Sequence, residues 1–368
     1  MRLAWSIASL AVVVMVSVAL VIPDLAPAGE VPAISHYKVL TAIRHGNLEV
    51  FPVVTAAAHD TQEFLTLDEG LRSGDVIVSE SGNIAPLIRP RHKDVNPPPR
   101  IAGGAQVNQL VLVNNSSRPL LLLAGEIVTG GKQDRVIGKD RLVPAESDPI
   151  DLSVFCVEPG RWTGAKMSFN GGGLGAGMAQ PGIRAKAMAD KDQAKVWSEV
   201  RNSQARVQAQ ASAPMAAAIA GTTSYPKVME NEEVKEKVDA VAAPMLHDYQ
   251  SLIKQLRDRS AVGVVVAVNG EIIWADVFAS TNLLEKYWPK LVRSYAAEAY
   301  VSRAGDKQAS TKAAQQFLED LGGRHETVET EPGLYRHTEI SGDGFRAFEL
   351  TSLLPKTGFD LHIAKMAE

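Results

Sequence analysis

An α+β fold is the class this 368-residue chain predicts: a mixed, largely antiparallel β-sheet core with a helical middle segment. Three observations carry that reading. β-rich runs fill the chain from Tyr37 to Val157. A helix-forming block over 183–258 then interrupts them. Last comes an Asn-Gly hairpin, two helices and a closing β segment. The late hairpin has an arm that is apolar almost throughout, which predicts burial on both faces in a sheet begun by the N-terminal strands. One interleaved domain over 36–363 follows, rather than two separable ones.

Composition bounds the classes. Hydrophobic residues make up 45% and charged residues 22%, which excludes wholesale disorder. The formal net charge is -4, with no dense basic patch, so no nucleic-acid partner is expected. Cys156 is the single cysteine. It allows no internal disulfide and no cysteine-based zinc site.

The N-terminus reads as an export segment. Arg2 gives a short positive start, Leu3 to Ile22 is uncharged and apolar, and Ala26-Pro27-Ala28 offers a small-x-small cleavage site. Residues 1–28 are either a signal peptide or an uncleaved anchor, since about 20 apolar residues also span a bilayer. The expected location is extracytoplasmic, periplasmic or secreted. The membrane is a partner only through that segment. Residues 29–35 form a linker.

The elements follow in order. Tyr37 to Ile43, Leu48 to Val54 and Val76 to Ser79 are strand candidates, punctuated by Gly46-Asn47 and Ser73-Gly74. Glu63 to Leu71 is a short helix candidate. Pro97-Pro98-Pro99 reads as an extended surface segment. Val107 to Asn114 and Leu120 to Val128 read as a hairpin across a Ser-rich turn. Arg135 to Ile137 and Asp151 to Val157 are further strands. Asn170 to Gly177, NGGGLGAG, lacks the Lys-Ser/Thr ending of a phosphate loop and reads as a flexible surface loop. Residues 183–212 form a helix with a thin apolar stripe. Glu232 to Asp258 is amphipathic, with Val234, Val238, Val241, Met245, Tyr249, Leu252 and Leu256 at helical spacing and a kink expected at Pro244. Asn269-Gly270 joins Ala261–Val268 to Glu271–Phe278, because both turn positions need positive φ. Asn282 with Glu285 resembles a helix start, and Pro289 predicts a kink or restart. Lys307 to Leu321 is a helix ended by Gly322-Gly323. Thr327–Glu329, Tyr335–Ile340, Phe345–Leu350 and Phe359–Ile363 close the chain as strands.

The stretch Pro119 to Trp162 concentrates the candidate chemistry. By strand parity, the face of Leu120, Leu122 and Ala124 reaches Glu126. The face of Leu152, Val154 and Cys156 reaches Glu158. If the two strands are neighbours, one carboxyl is raised and general acid/base work becomes available. The alternative is structural pairing with Lys132, Arg135 or Arg161. After the Gly130-Gly131 turn, Gln133 and Arg135 alternate on one face. With Lys132 and Arg161 they form a donor set suited to phosphate or carboxylate. Trp162 either stacks on a ligand ring or packs in the core. Cys156, in an apolar strand without a partnering histidine motif, reads as structural. The eight histidines show no ligand spacing, so neither a metal nor another cofactor is expected.

At GEIVTGGKQDRV (Gly125 to Val136), CVEPGRW (Cys156 to Trp162) and the run NGEIIWADVFASTNLLEKYWPKLVRSYAAEA, the chain resembles a bacterial domain of unknown function, the ARG and Rhodanese-Phosphatase-superfamily-associated protein domain. The resemblance spans about 36 to 363. It implies an association with ADP-ribose or phosphoester metabolism and transfers no catalytic residue. Three functions stay open: a module binding an anionic or nucleotide-like small molecule, a hydrolase of glycosidic or phosphoester bonds using a strand-end carboxylate, and an extracytoplasmic scaffold.

Overall fold

The computed structural model describes residues 36–80, 108–160, 169–171, 177–302, 305–328, 331 and 333–368. The export segment, the triproline run, Arg161, Trp162 and the inner part of the glycine tract lie outside the described residues. The described residues from 36 to 368 form one compact unit.

The principal sheet has nine strands. Its path runs β1 (Tyr37–Val39), β3 (Leu48–Thr55), β13 (Ser260–Val268), β14 (Glu271–Phe278), β18 (Asp360–Ala367), β17 (Phe345–Ser352), β16 (Tyr335–Gly342) and β15 (Arg324–Val328), with β2 (Ile43–His45) paired to β3. The late hairpin thus sits directly against β3, as its apolar arm predicts. Val262 and Val264 to Val266 are fully buried, and the turn at Asn269-Gly270 has φ of 54° and 78°. A six-stranded sheet orders β12 (Phe169–Gly171), β8 (Ile127–Gly130), β9 (Arg135–Ile137), β11 (Ile150–Cys156), β6 (Gln109–Asn114) and β5 (Val76–Glu80). A three-stranded sheet orders β10 (Arg141–Val143), β7 (Leu120–Leu122) and β4 (Leu65–Thr66). Every pair is antiparallel except β4 with β7.

Two expectations about the strands differ from the structure. The Val107–Asn114 and Leu120–Val128 runs do not pair as a hairpin: β6 joins β5 and β11, while β7 lies in the other sheet. Asn114 redirects the chain, since its side chain donates to the Arg118 and Pro144 carbonyls and accepts from Ser116 N. Leu120–Val128 is not one strand either. Gly125 at φ +95° breaks it into β7 and β8, so parity does not carry from Leu122 to Glu126. Both prolines at which a kink was expected lie inside continuous helices, so Pro289 does not restart its helix. Helices over Glu232–Gln255 and Thr281–Val301 run through Pro244 and Pro289, because burial of their apolar faces outweighs the lost backbone bond.

Helix α1 (Leu67–Ser73) starts with a Thr66–Glu69 capping box. The helical middle comprises α2 (Pro181–Ala185), a π turn (Lys186–Asp190), α3 (Gln193–Ala209), α4 (Ala213–Ala220), α5 (Tyr225–Met229) and α6 (Glu232–Gln255). After the late hairpin come α7 (Thr281–Val301) and α8 (Thr311–Glu319). Ser280 rather than Asn282 caps α7. The largest apolar cluster joins one face of the principal sheet (Val264, Val266, Trp274, Phe278) to α6 and α7 through Tyr249, Tyr287, Trp288 and Leu291. A second cluster covers the opposite face with Ala314 and Leu318 of α8. Fully burying such a Leu or Phe contributes about 1.5–3 kcal/mol.

Gly263 marks the tightest strand contact near the centre. A Cβ there would meet the Asp276 carbonyl oxygen at 2.4 Å and Val277 Cα at 2.8 Å. Gly263→Ala should lower the unfolding free energy by roughly 1–3 kcal/mol through overpacking, read from the urea midpoint. An unchanged midpoint would show that β13 and β14 separate without cost.

Candidate functional site

The structure gathers part of the predicted strand-end set, and turns it inward. The Gly131 backbone, at φ +53°, brings Lys132 N to 2.9 Å from Glu80 Oε1. A Cβ at Gly131 would come within 2.2 Å of the Phe169 ring, so only glycine fits this turn. Asp134 accepts from Gly130 N at 3.0 Å and from the Ser224 hydroxyl at 2.8 Å. Gln133 Nε2 donates to the Glu158 carbonyl, and the Cys156 thiol donates to Gln133 Oε1 at 2.6 Å. Arg135 lies opposite Cys156 across β9 and β11, with Glu80 Oε1 at 4.0 Å. Gln133, Arg135 and Glu158 are 4%, 0% and 2% exposed. Their polar groups therefore meet one another inside the sheet end rather than solvent. Burial pushes the Cys156 thiol up to about 11, so the thiol stays protonated and is a poor nucleophile.

Glu126 and Glu158 do not form a pair. Glu126 bridges to Met178 beside Ile127, which pairs with Val136. Glu158 follows Cys156, which pairs with Arg135. The two carboxylates flank opposite ends of β9, Glu126 beside Ile137 and Glu158 beside Gln133. Glu126 Oε2 accepts Leu123 N at 2.7 Å, and Oε1 pairs with Lys290 Nζ of α7. Lys290 also reaches Asp68 Oδ2 of α1 at 2.8 Å. Burial and then Asp68 raise the Glu126 carboxyl, while Lys290 pulls it down. For Lys290, burial opposes the charge, but Glu126 and Asp68 outweigh it and hold the ammonium above its ordinary range. The ion pair is thus a bridge tying α1, the Gly125-Glu126 turn and α7 together.

Lys290 also lines a cleft, together with Met178, Tyr225, Met229, Lys235 and Arg293. Its wall includes Gly177, the last residue of the glycine tract. Asp239 of α6 holds Lys235 at 2.8 Å and Arg293 at 2.5 Å, fixing two flexible cations at the rim. The enclosed part is about the size of one water molecule, and the remainder opens to solvent.

Behind Gly125 lies an ionic network that the sequence reading missed. Arg184 of α2 forms a two-pronged pair with Asp276 of β14, at 2.9 and 3.0 Å. His362 of β18 bridges Asp276 Oδ1 at 3.1 Å and Asp140 Oδ2 at 2.6 Å. Asp140 Oδ1 accepts Ala124 N at 2.7 Å, and the Tyr295 hydroxyl donates to Asp276. Asp140, Arg184, Asp276 and His362 are all 0% exposed. Burial works against the His362 imidazolium, but Asp140 and Asp276 raise it to about 9. Burial likewise opposes the Asp276 carboxylate, yet Arg184 and His362 hold it far below the usual range. A Cβ on Gly125 would come within 2.5 Å of Arg184 Cγ, which explains the glycine in Gly125-Glu126. One signal was available: Asp276 is a lone charge inside the apolar run Ile272 to Phe278. His362, Arg184 and Asp140 carry no such mark.

The family model of the ARG and Rhodanese-Phosphatase-superfamily-associated Protein domain matches residues 36–363, nearly the whole chain, and the chain belongs to this family. No curated protein and no solved structure matches it.

Proposed function

We propose that this member of the family is a binding module for a small anionic molecule, held at the cleft between α5, α6 and α7. The observation that carries the reading is the convergence of Lys235, Lys290 and Arg293 on one concave surface. Arg supplies a planar fork and Lys a point charge, the two recurring donors for phosphate and carboxylate. Asp239, Asp68 and Glu126 hold these cations in place, which lowers the ordering cost of binding. Because the enclosed part holds no more than about one water molecule, the anionic group is expected at the open mouth, beside Lys235 and Arg293. The family description, which names ARG and the rhodanese-phosphatase superfamily, supports a panel built on ADP-ribose and phosphoesters. The apolar N-terminus supports an extracytoplasmic location, checked by cell fractionation.

Thermal-shift measurements with inorganic phosphate, ADP-ribose, nucleotides and sugar phosphates test the reading. A ligand at about 100 times its Kd should stabilise the protein by about 2.7 kcal/mol. Arg293→Ala and Lys235→Ala, both at partly exposed positions, should remove that response while leaving the ligand-free Tm within a few degrees. No stabilisation by any compound, or equal stabilisation of the variants, rejects the cleft. A hydrolase using Glu126 and Glu158 together gains no support from their separation.

A further inference from the structure

Lys139 and His337 both lie beside Tyr335. Lys139 lies between β9 and β10, next to Asp140. Its ammonium stands 5.9 Å from the centre of the Tyr335 ring. Tyr335 and His337 are two residues apart on β16, so their side chains share a face. Among the described residues, Lys139 makes no ion pair and no hydrogen bond. His337 is 2% exposed, and its Nε2 is buried without a hydrogen-bond partner. An unpartnered buried polar atom calls for a bound group.

The neighbouring carboxylates are committed elsewhere. Glu339 pairs with Lys191, and Glu331 pairs with Arg141. Asp140 spends its two oxygens on Ala124 N and His362. Lys139 is therefore left as a cation with no carboxylate in ion-pair contact, beside a neutral imidazole with an unpartnered nitrogen. Consistent with that, burial and then Lys139 hold His337 down to about 4, and burial lowers Lys139 too, with Lys191 and Arg141 adding to it.

We propose that Lys139 and His337 form a second binding site, for a tetrahedral oxyanion such as phosphate or a phosphate monoester. The Lys139 ammonium supplies the charge, and the His337 imidazole supplies a directional Nε2 contact. Lys139 is only partly buried, so the anion enters on its side. The assignment rests on different residues from the Lys235–Lys290–Arg293 cleft and stands whether or not that cleft binds a ligand.

The test is an NMR titration of the His337 imidazole in the full chain, with and without inorganic phosphate, and in a second arm with a nucleoside monophosphate. The groups facing His337 are Lys139, Asp140, Lys191 and Glu339. An anion at Lys139 should raise the His337 midpoint by at least about one pH unit. Lys139→Met should lose that shift, and Lys139→Arg should retain it, with folding of each checked by Tm. Arg293→Ala should leave the shift intact. No movement of His337 with either anion overturns the site. So does an undiminished shift in Lys139→Met, or a shift that Arg293→Ala abolishes.

Discussion

Replacing Asp276 with alanine should lower the unfolding free energy by roughly 3–5 kcal/mol, the cost of breaking a buried ion pair from one side. Asp276 holds both prongs of the Arg184 guanidinium, one nitrogen of His362 and the Tyr295 hydroxyl. Alanine leaves the guanidinium in the interior, 4.4 Å from the Trp274 ring and 0% exposed. The guanidinium then keeps only the more distant field of Asp140. Asp276→Asn keeps a carbonyl acceptor but not the charge, and should fall between the two. Urea unfolding followed by circular dichroism gives the difference directly. A loss under about 1 kcal/mol would mean that Arg184 is readily re-partnered, and the network would then have little part in holding β14, β18 and α2 together.

Raising the pH from 6.5 to 9 should remove about 3 kcal/mol of stability through His362 alone. The unfolded imidazole titrates near 6.5, and the folded one near 9, held up by Asp140 and Asp276 against the cost of burial. Below pH 6.5 both states carry the proton, and the stabilisation is complete. Between the two midpoints only the folded state binds it, so each rise in pH favours unfolding. Above about 9 the contribution is gone. His362→Gln should flatten this slope, and the comparison is read as urea midpoints at pH 6, 7.5 and 9. A wild-type slope equal to that of the variant would falsify the assignment. The carboxylates act at the other end. Asp140 and Asp276 are held below their ordinary range, so their contribution is present above about pH 4 and fades as the pH falls further.

Much of the fold was legible because its signals are local. Asn269-Gly270 carries positive φ at both positions, and the apolar arm before it is buried. The stripe Val234, Val238, Met245 and Tyr249 is the core face of α6. The failures are equally specific. The Leu120–Val128 run looks like one strand in composition, yet Gly125 turns it because Arg184, 59 positions later, leaves no room for a side chain. Parity through that turn sent Glu126 toward Glu158, whereas its partner is Lys290 on a helix 164 positions away. Parity places Gln133 and Arg135 on one face of their segment, but their contact with Cys156 was not foreseen, because it depends on the pairing of β9 with β11. Their burial depended on Glu80 and Ser224, which approach from elsewhere in the chain.

By itself the sequence determined the α+β class, the interleaving of the late hairpin, the helix faces and the grouping of polar residues near Gly130-Gly131. Each follows from backbone geometry and periodicity within a few residues. Tertiary structure alone decided which charges meet. Asp140 with His362, Arg184 with Asp276, Glu126 with Lys290, and the convergence of Lys235, Lys290 and Arg293 join positions far apart in the chain. An isolated Asp or Lys in a strand or helix carries no mark of its partner. Only the dry interior, where an unpaired charge is costly, forces these pairs together.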